Sequence, residues 1–362
     1  AEDDPDYRVY VMDGVRPATW YRERPGRWIA ERSGTGSARG ASTLYLNGDA
    51  LASEPGDVAR VIAAPADCGA DAGEFCAIWL GPELPGDQRR DDALSTCFET
   101  APLEADLDLS GAPGVTLSLA SSAAQGQIAV RLCHVHPDGA STRITYGVLN
   151  LSHRKSAAAP VPMRPETAEE VHLELDHIAY RVAKGHRLRL SVSQAYWPLI
   201  WPAPGAVTLS LSGGHVDLPV RPLANGDEWQ FPTPDAEAPW EIEELRPAAH
   251  VRRSETDHVS GEVHLIIEDD FGLNRDCDHG LITGHIARER WSIHPDDPLS
   301  ARGSCHWSDE LTRDDLHLRT EATCAMTSDA THFHLTARLE AYENDVLVYE
   351  RDVTETIERD NL

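Results

Sequence analysis

Apolar and polar residues alternate in most segments of this 362-residue chain that show any periodicity. Val115, Leu117 and Leu119 interleave with Thr116 and Ser118. The same pattern recurs at residues 187–192, 207–211, 263–267 and 332–340. Successive side chains of a strand point to opposite faces of a sheet, so each segment predicts a half-buried antiparallel strand. Stripes with helical spacing are hard to find, and the sequence therefore predicts an all-β protein with at most a few short helical turns.

A proline-bearing polar stretch from Leu223 to Pro239 lacks this alternation and is the best candidate for a domain boundary. Residues 1–222 carry a net charge of −8 and residues 223–362 a net charge of −20. We therefore predict two domains, 1–222 and 223–362, with different surface fields.

The total charge of −28 argues against nucleic acid or an anionic membrane as the main partner, because polyanions attract basic surfaces. No apolar run approaches the roughly 20 residues that span a bilayer, and no signal segment opens the sequence. The seven cysteines form no C-x-x-C pair. Cys68 and Cys76 are expected to be free thiols in a reducing cytoplasm, although a local disulfide is the alternative.

A nucleophilic serine is not evident, because the G-x-S-x-G motif of serine hydrolases is absent from the sequence. Ser37, within residues 34–40, is the nearest imitation, but its glycines have the wrong spacing. We interpret this stretch as a surface loop. It is not a P-loop either, since no Gly-Lys-Ser/Thr follows. The sequence therefore assigns no catalytic residue.

Histidines occur in two pairs, His134 with His136 and His332 with His334, and each pair would share one face of a strand. A zinc site needs further ligands, and the sequence shows none at a diagnostic spacing. We expect His134 and His136 to hydrogen-bond carbonyls of the following turn, and His332 and His334 to face solvent. No metal and no cofactor is predicted.

Trp197 and Trp201 lie in an aromatic cluster that also contains Tyr196. Their flat apolar rings suit stacking on a sugar or an acyl group. We favour the simpler interpretation, in which these aromatic residues cap one end of a β-sandwich core.

Several stretches, in the same order along the chain, resemble the C-terminal region of the X-Pro dipeptidyl-peptidase and cocaine-esterase family of serine α/β-hydrolases. They lie at residues 87–92, 102–106, 130–139, 147–154, 184–193 and 201–202. His134 departs from the family, which usually has Asp there.

The resemblance implies a jelly-roll β-sandwich of the galactose-binding-like type for residues 1–222, packed against a catalytic α/β-hydrolase domain. The nucleophilic Ser, the Asp and the His of the family lie upstream of this jelly roll, so none is carried over. By resemblance, the loop from Gly73 to Asp92 leans toward the active site, and Phe75 and Trp79 are candidate substrate-facing residues. Residues 223–362 resemble the extension of longer bacterial members, which we expect to form a second antiparallel sheet.

We therefore predict the non-catalytic part of a cytoplasmic serine hydrolase, a peptidase or ester/amide hydrolase that acts by acyl transfer. Its roles would be to shape the substrate pocket and to make subunit contacts, including contacts within a homo-oligomer. The isolated chain is expected to be inactive. The alternative is a stand-alone carbohydrate- or ligand-binding β-sandwich with Trp197 and Trp201 as its platform.

Overall fold

The structure is a computed structural model, and it describes residue 5 and residues 7–31, 40–77, 81–221 and 227–361. Helix in these residues is confined to the five-residue helix α1 (Arg89–Ala93) and a 3-10 turn at Leu151–His153. Neither is long and apolar enough to cross a membrane. The remaining regular structure is strand, which confirms the all-β prediction.

Fourteen strands of the first 222 residues join in one hydrogen-bonded network. They are β1 (Tyr7–Asp13), β2 (Gly26–Glu31), β3 (Gly40–Asn47), β4 (Ala50–Ala52), β5 (Arg60–Ile62), β6 (Thr96–Glu99), β7 (Leu107–Gly111), β8 (Gly114–Ser121), β9 (Gln127–Val135), β10 (Ser141–Asn150), β11 (Glu169–Glu174), β12 (Ile178–Val182), β13 (Arg187–Ser193) and β14 (Leu209–Val220).

These strands form a β-sandwich, as predicted. One layer contains β10, β9, β13 and β6 in that order, and the other contains β11, β8 and β14. β14 also pairs with β3, β5 and β7, so it connects the network. Leu117 and Leu119 of β8 meet Val130 and Leu132 of β9 in one hydrophobic cluster, and each is at most 1% exposed. Each such side chain stabilises the fold by about 1.5 to 3 kcal/mol relative to exposure.

Eight longer strands of the C-terminal part form a second sheet. They are β15 (Ile242–Arg246), β16 (Ala249–Thr256), β17 (Val263–Asp276), β18 (Ile282–His294), β19 (Asp297–Arg313), β20 (Leu316–Ser328), β21 (His332–Glu343) and β22 (Val346–Glu358). All pairings are antiparallel, with β17 to β22 in sequence order, β15 flanking β17, and β16 also pairing with β17. This sheet confirms the predicted antiparallel extension.

One face of the second sheet carries apolar residues at many of its directly paired positions, next to a few charged ones such as Arg351. Trp307 of β19 pairs with Ala322 of β20, which pairs with Leu339 of β21. Leu311 and Leu318 pair in a further row of the same face. Trp307 is 44% exposed and Leu339 is 39% exposed. Within the described residues, nothing covers this part of the face, which we call the open apolar face.

The other end of the same face is covered by the sandwich. Trp197 lies 5.9 Å from Trp291 of β18, and Trp201 lies 6.4 Å from Phe333 of β21, between ring centroids. Trp197 and the apolar residue Ile293 belong to one buried cluster. No described strand of the sandwich pairs with a strand of the second sheet, so the two parts meet through side chains and loops. The division into domains 1–222 and 223–362 stays a prediction.

Candidate functional site

The loop between β5 and β6 carries two of the predicted substrate-facing residues. Phe75 is 79% exposed at the surface of this loop. Trp79 lies outside the described part of the chain. Ser37 also lies outside it. Cys76 is exposed and Cys68 is buried, and both are free thiols. Burial raises the pKa of Cys68 to about 11, so this thiol stays protonated and unreactive at neutral pH.

The base of the loop is held by the carboxylate of Asp91 in helix α1. Its two oxygens accept hydrogen bonds from the backbone N–H groups of Gly69, at 3.1 Å, and of Asp71, at 3.2 Å. Gly69 has a φ of +115°, and a Cβ there would come within 2.7 Å of the Trp197 backbone. The chain therefore needs glycine at this position. Burial raises the pKa of Asp91, while the charge of Arg131 acts in the opposite direction.

A buried arginine connects this loop to the sandwich. Arg131 of β9 is 1% exposed, and it donates hydrogen bonds to Gln88 Oε1 at 3.0 Å and Ser95 Oγ at 2.9 Å. Its guanidinium also lies 3.3 Å from a carboxylate oxygen of Asp92. Asp92 in turn accepts a 2.7 Å hydrogen bond from Arg189 of β13. A buried charge is tolerated only when it is paired and hydrogen-bonded, so this network specifies the position of the loop.

The second sheet also contacts the loop. Arg252 of β16 lies 3.1 Å from a carboxylate oxygen of Glu74, the residue next to Phe75. The same guanidinium pairs with Asp269 of β17 at 2.8 Å. Ala66 donates a backbone hydrogen bond to the carbonyl of Pro295. The contacts of Glu74 with Arg252 and of Ala66 with Pro295 could not be predicted from the sequence, because their partners are distant along the chain.

Trp197 and Trp201 do not form an exposed platform. Trp197 is 2% exposed, because its indole is enclosed by Trp201, Trp291 and Ile293. Trp201 donates a 2.9 Å hydrogen bond from Nε1 to Ser328 Oγ of β20. The structure thus places Trp197 in the interior at the junction of the two parts, with no face for a ligand, and Trp201 beside it.

Three histidines converge at the end of β9 and the start of β13. His134, His136 and His186 each bring a ring nitrogen within 4.8 Å of the other two. His134 Nε2 lies 2.6 Å from His186 Nδ1, and His134 Nδ1 lies 3.0 Å from the hydroxyl of Tyr180. These contacts replace the turn carbonyls that we expected as the partners of His134. His186 was missed as a member of the cluster, although it directly precedes β13, the strand that pairs with β9.

The second predicted histidine pair is half-buried on β21 rather than fully exposed. The ring centroids of His332 and His334 are 6.4 Å apart, and His334 Nε2 lies 2.9 Å from a carboxylate oxygen of Asp329. This pair has no third histidine beside it in the described part of the chain.

A comparison with known proteins identifies the family to which this chain belongs. Residues 1–252 match the model of the X-Pro dipeptidyl-peptidase C-terminal non-catalytic domain, and the chain belongs to this family. It is 27% identical over 138 residues to the cocaine esterase of Rhodococcus sp. (strain MB1 Bresler), a match that covers 37% of this chain and 24% of the esterase. The chain thus spans about a quarter of the length of the curated relatives it matches.

The chain also matches parts of two solved structures. An α-amino acid ester hydrolase is 20% identical, with 54% of this chain and 39% of the other covered and a TM-score of 0.45. A CocE/NonD family hydrolase from Staphylococcus aureus is 14% identical, with 61% and 42% covered and a TM-score of 0.46.

Proposed function

We propose that this chain forms one wall of the substrate pocket in a cytoplasmic serine hydrolase that acts by acyl transfer. The family to which it belongs is a non-catalytic domain, and a relative that it matches is named as an esterase. In such an enzyme the nucleophilic serine, its histidine base and the oxyanion donors come from the α/β-hydrolase domain. This chain helps to position the substrate and takes no part in proton transfer.

The exposure of Phe75 on a firmly held loop is the observation that carries this proposal. A large apolar side chain that is 79% exposed has no stabilising role in the isolated chain. The loop that carries it is nevertheless fixed by the buried pair of Arg131 and Asp92 and by the contact of Glu74 with Arg252. An exposed apolar ring next to anchored residues of this loop is suited to forming a pocket wall for an acyl or leaving group. Trp79 of the same loop remains a candidate for this role by resemblance.

The open apolar face of the second sheet supports the further proposal of a subunit contact. Exposed apolar side chains that are contiguous on a surface mark interaction sites more often than single ones do. Besides Trp307 and Leu339, the same face presents Leu311, Leu318 and Tyr349, which are 37 to 49% exposed. We propose that a second copy of the chain covers this face in a homo-oligomer.

An activity assay tests the assignment as a non-catalytic part. The purified chain should turn over neither a p-nitrophenyl ester nor an X-Pro amide. Turnover that co-purifies with the chain and is lost on a single serine substitution would contradict the proposal. A fluorescence titration with oligosaccharides tests the alternative binding module, and quenching of the tryptophan emission would favour that module.

Sedimentation of two neighbouring variants tests the subunit contact. Leu339 lies on the open apolar face, and Arg338 points to the opposite face of the same strand. We expect the wild-type chain to self-associate, Leu339→Asp to sediment as a monomer, and Arg338→Asp to behave like wild type. A monomeric wild-type chain, or equal behaviour of the two variants, would contradict the proposed contact.

A further inference from the structure

We propose that His134, His136 and His186 form a binding site for a divalent transition-metal ion, with Zn²⁺ as the best match. The proposal is independent of the hydrolase function. It starts from the register of two paired strands. His134 pairs directly with Leu188 of β13, and His136 and His186 follow just beyond the last pair of this ladder, Val135 with Arg187. The three imidazoles converge at this end of the ladder.

The distances are close to those of a metal site. Ring centroids are 4.2 Å apart for His134 and His136, 4.8 Å for His134 and His186, and 5.2 Å for His136 and His186. Zinc binds imidazole nitrogen at about 2.0 to 2.1 Å, so two nitrogens on a tetrahedral ion are about 3.4 Å apart. The ring nitrogens of the cluster lie within 4.8 Å of each other. Ring movements of about an ångström bring them to this geometry, and His186 is the least buried of the three.

The hydrogen bonds around the cluster fix which nitrogens are available in His136 and His134. Thr142 Oγ1 donates to the carbonyl of Val15 at 2.8 Å, so it accepts from His136 Nε2 at 3.0 Å. The lone pair of His136 is therefore on Nδ1. His134 Nδ1 lies 3.0 Å from the Tyr180 hydroxyl, which leaves His134 Nε2 as the ligand atom. Metal-binding histidines commonly hold their second nitrogen in such a hydrogen bond, which sets the tautomer and the ring orientation.

Neutral imidazole is the form that binds a metal, and the hydrogen bonds within the cluster show where its protons lie. In the metal-free chain, His134 Nε2 and His186 Nδ1 share one proton in their 2.6 Å contact. When the ion binds, this proton is displaced and His186 takes the tautomer that carries hydrogen on Nε2.

The ligand set indicates the class of ion. Three neutral imidazoles suit Zn²⁺, Cu²⁺ or Ni²⁺, whereas Mg²⁺ and Ca²⁺ prefer oxygen ligands. Three protein ligands leave a fourth tetrahedral position for water or a small anion. The bound ion would cross-link β9 and β13 at the start of the turn that contains Asp138 and Gly139.

Calorimetric titration of the chelator-treated full chain with ZnCl₂ tests the site. We expect saturation at about one ion per chain, as a single three-ligand site requires. His186→Gln, at the half-exposed position, should weaken binding by more than the roughly 10- to 100-fold that loss of an outer-shell partner costs. Tyr180→Phe should weaken it by about 10-fold. The matched control is His332→Gln, which alters the strand-face pair that lacks a third histidine.

Circular dichroism establishes that each variant is folded, and Co²⁺ provides a second readout. The visible absorption of Co²⁺ bound to the wild-type chain should have the intensity of a four-coordinate ion, and His186→Gln should abolish it. Absence of saturable Zn²⁺ binding by the wild-type chain would overturn the proposal. Equal Zn²⁺ affinities for wild type and His186→Gln would also overturn it, even with His134 and His136 intact.

Discussion

The sandwich and the second sheet solve the same problem, the burial of an apolar sheet face, in different ways. The sandwich faces its own second layer, and residues such as Leu190 and Leu209 are fully buried. In the described residues the second sheet is a single layer, which is covered by the sandwich near Trp197 and contacted by the loop between β5 and β6 at β16. A single layer with one apolar face needs a neighbour to be fully buried. The sandwich therefore buries its apolar faces within itself, whereas the second sheet leaves part of one face exposed.

Substitutions at ion pairs should give the largest difference in stability loss between the sandwich and the second sheet. Asp92→Ala in the sandwich leaves Arg131 buried and without its carboxylate, and we expect a loss of about 3 to 5 kcal/mol in the free energy of unfolding. Urea denaturation measures this loss. Arg338→Ala breaks exposed ion pairs with Glu350 and Asp352 in the second sheet and should leave the denaturation midpoint nearly unchanged. Similar losses in both variants would remove the contrast between the two parts.

Leucine-to-alanine variants compare apolar packing in the sandwich with apolar packing in the second sheet. Leu190→Ala removes a side chain that is 0% exposed from the sandwich core, and we expect a loss of about 2 to 5 kcal/mol. Leu339→Ala, on the open apolar face, should cost less than about 1 kcal/mol when the chain is monomeric. Thermal unfolding at low protein concentration measures both. A large cost at Leu339 under these conditions would mean that this side chain is already covered.

The junction should respond to Trp201→Ala. This change removes the hydrogen bond to Ser328 and the ring contact with Phe333. We expect a loss of about 1 to 3 kcal/mol, because the indole is partly rather than fully buried. Limited proteolysis should then cleave the variant faster between residues 221 and 242, where the two parts are connected. An unchanged cleavage rate would show that Trp201 does not hold the junction.

The smallest effect should be a pH dependence at Glu169 of β11. Hydrogen bonds from Arg154 and Lys155 lower the pKa of Glu169 to about 2. Since the pKa is depressed in the folded chain, the stabilisation is present above the unfolded value of about 4.3 and is lost as the pH falls from there toward 2. Wild type should therefore be more stable than Glu169→Gln at pH 6, and the difference should shrink at pH 3. Denaturation curves at the two pH values measure the difference in stability between wild type and Glu169→Gln. The same difference at both pH values would refute the prediction.

The sequence predicted the strands well and the contacts between distant elements poorly. The alternation at Val115, Leu117 and Leu119 is a local signal, and these residues are buried on one face of β8 as expected. The resemblance located the sandwich and the loop that contains Phe75. Alternation also predicted the apolar face of the second sheet, but a period of two residues carries no information about what covers that face.

The histidine cluster and the contact between Trp197 and Trp291 show why contacts between distant residues could not be predicted from the sequence. His186 joins His134 only because β13 pairs with β9 in one particular register, which the sequence does not specify. Trp197 is buried by Trp291, and their positions in the chain are far apart. The sequence left both a role in the core and a ligand platform open for the aromatic cluster, and long-range packing places Trp197 in the interior.

Steady-state kinetics of the proposed hydrolase, with its α/β-hydrolase domain present, test most directly whether the loop of this chain is a wall of the substrate pocket. Phe75→Ala should lower kcat/KM for an ester substrate by about 10- to 100-fold, because a displaced substrate loses its alignment with the catalytic groups. The matched control is Val259→Ala, since Val259 is 98% exposed in a turn of the second sheet, and it should leave kcat/KM unchanged. Equal values of kcat/KM for wild type, Phe75→Ala and Val259→Ala would contradict the proposed pocket wall.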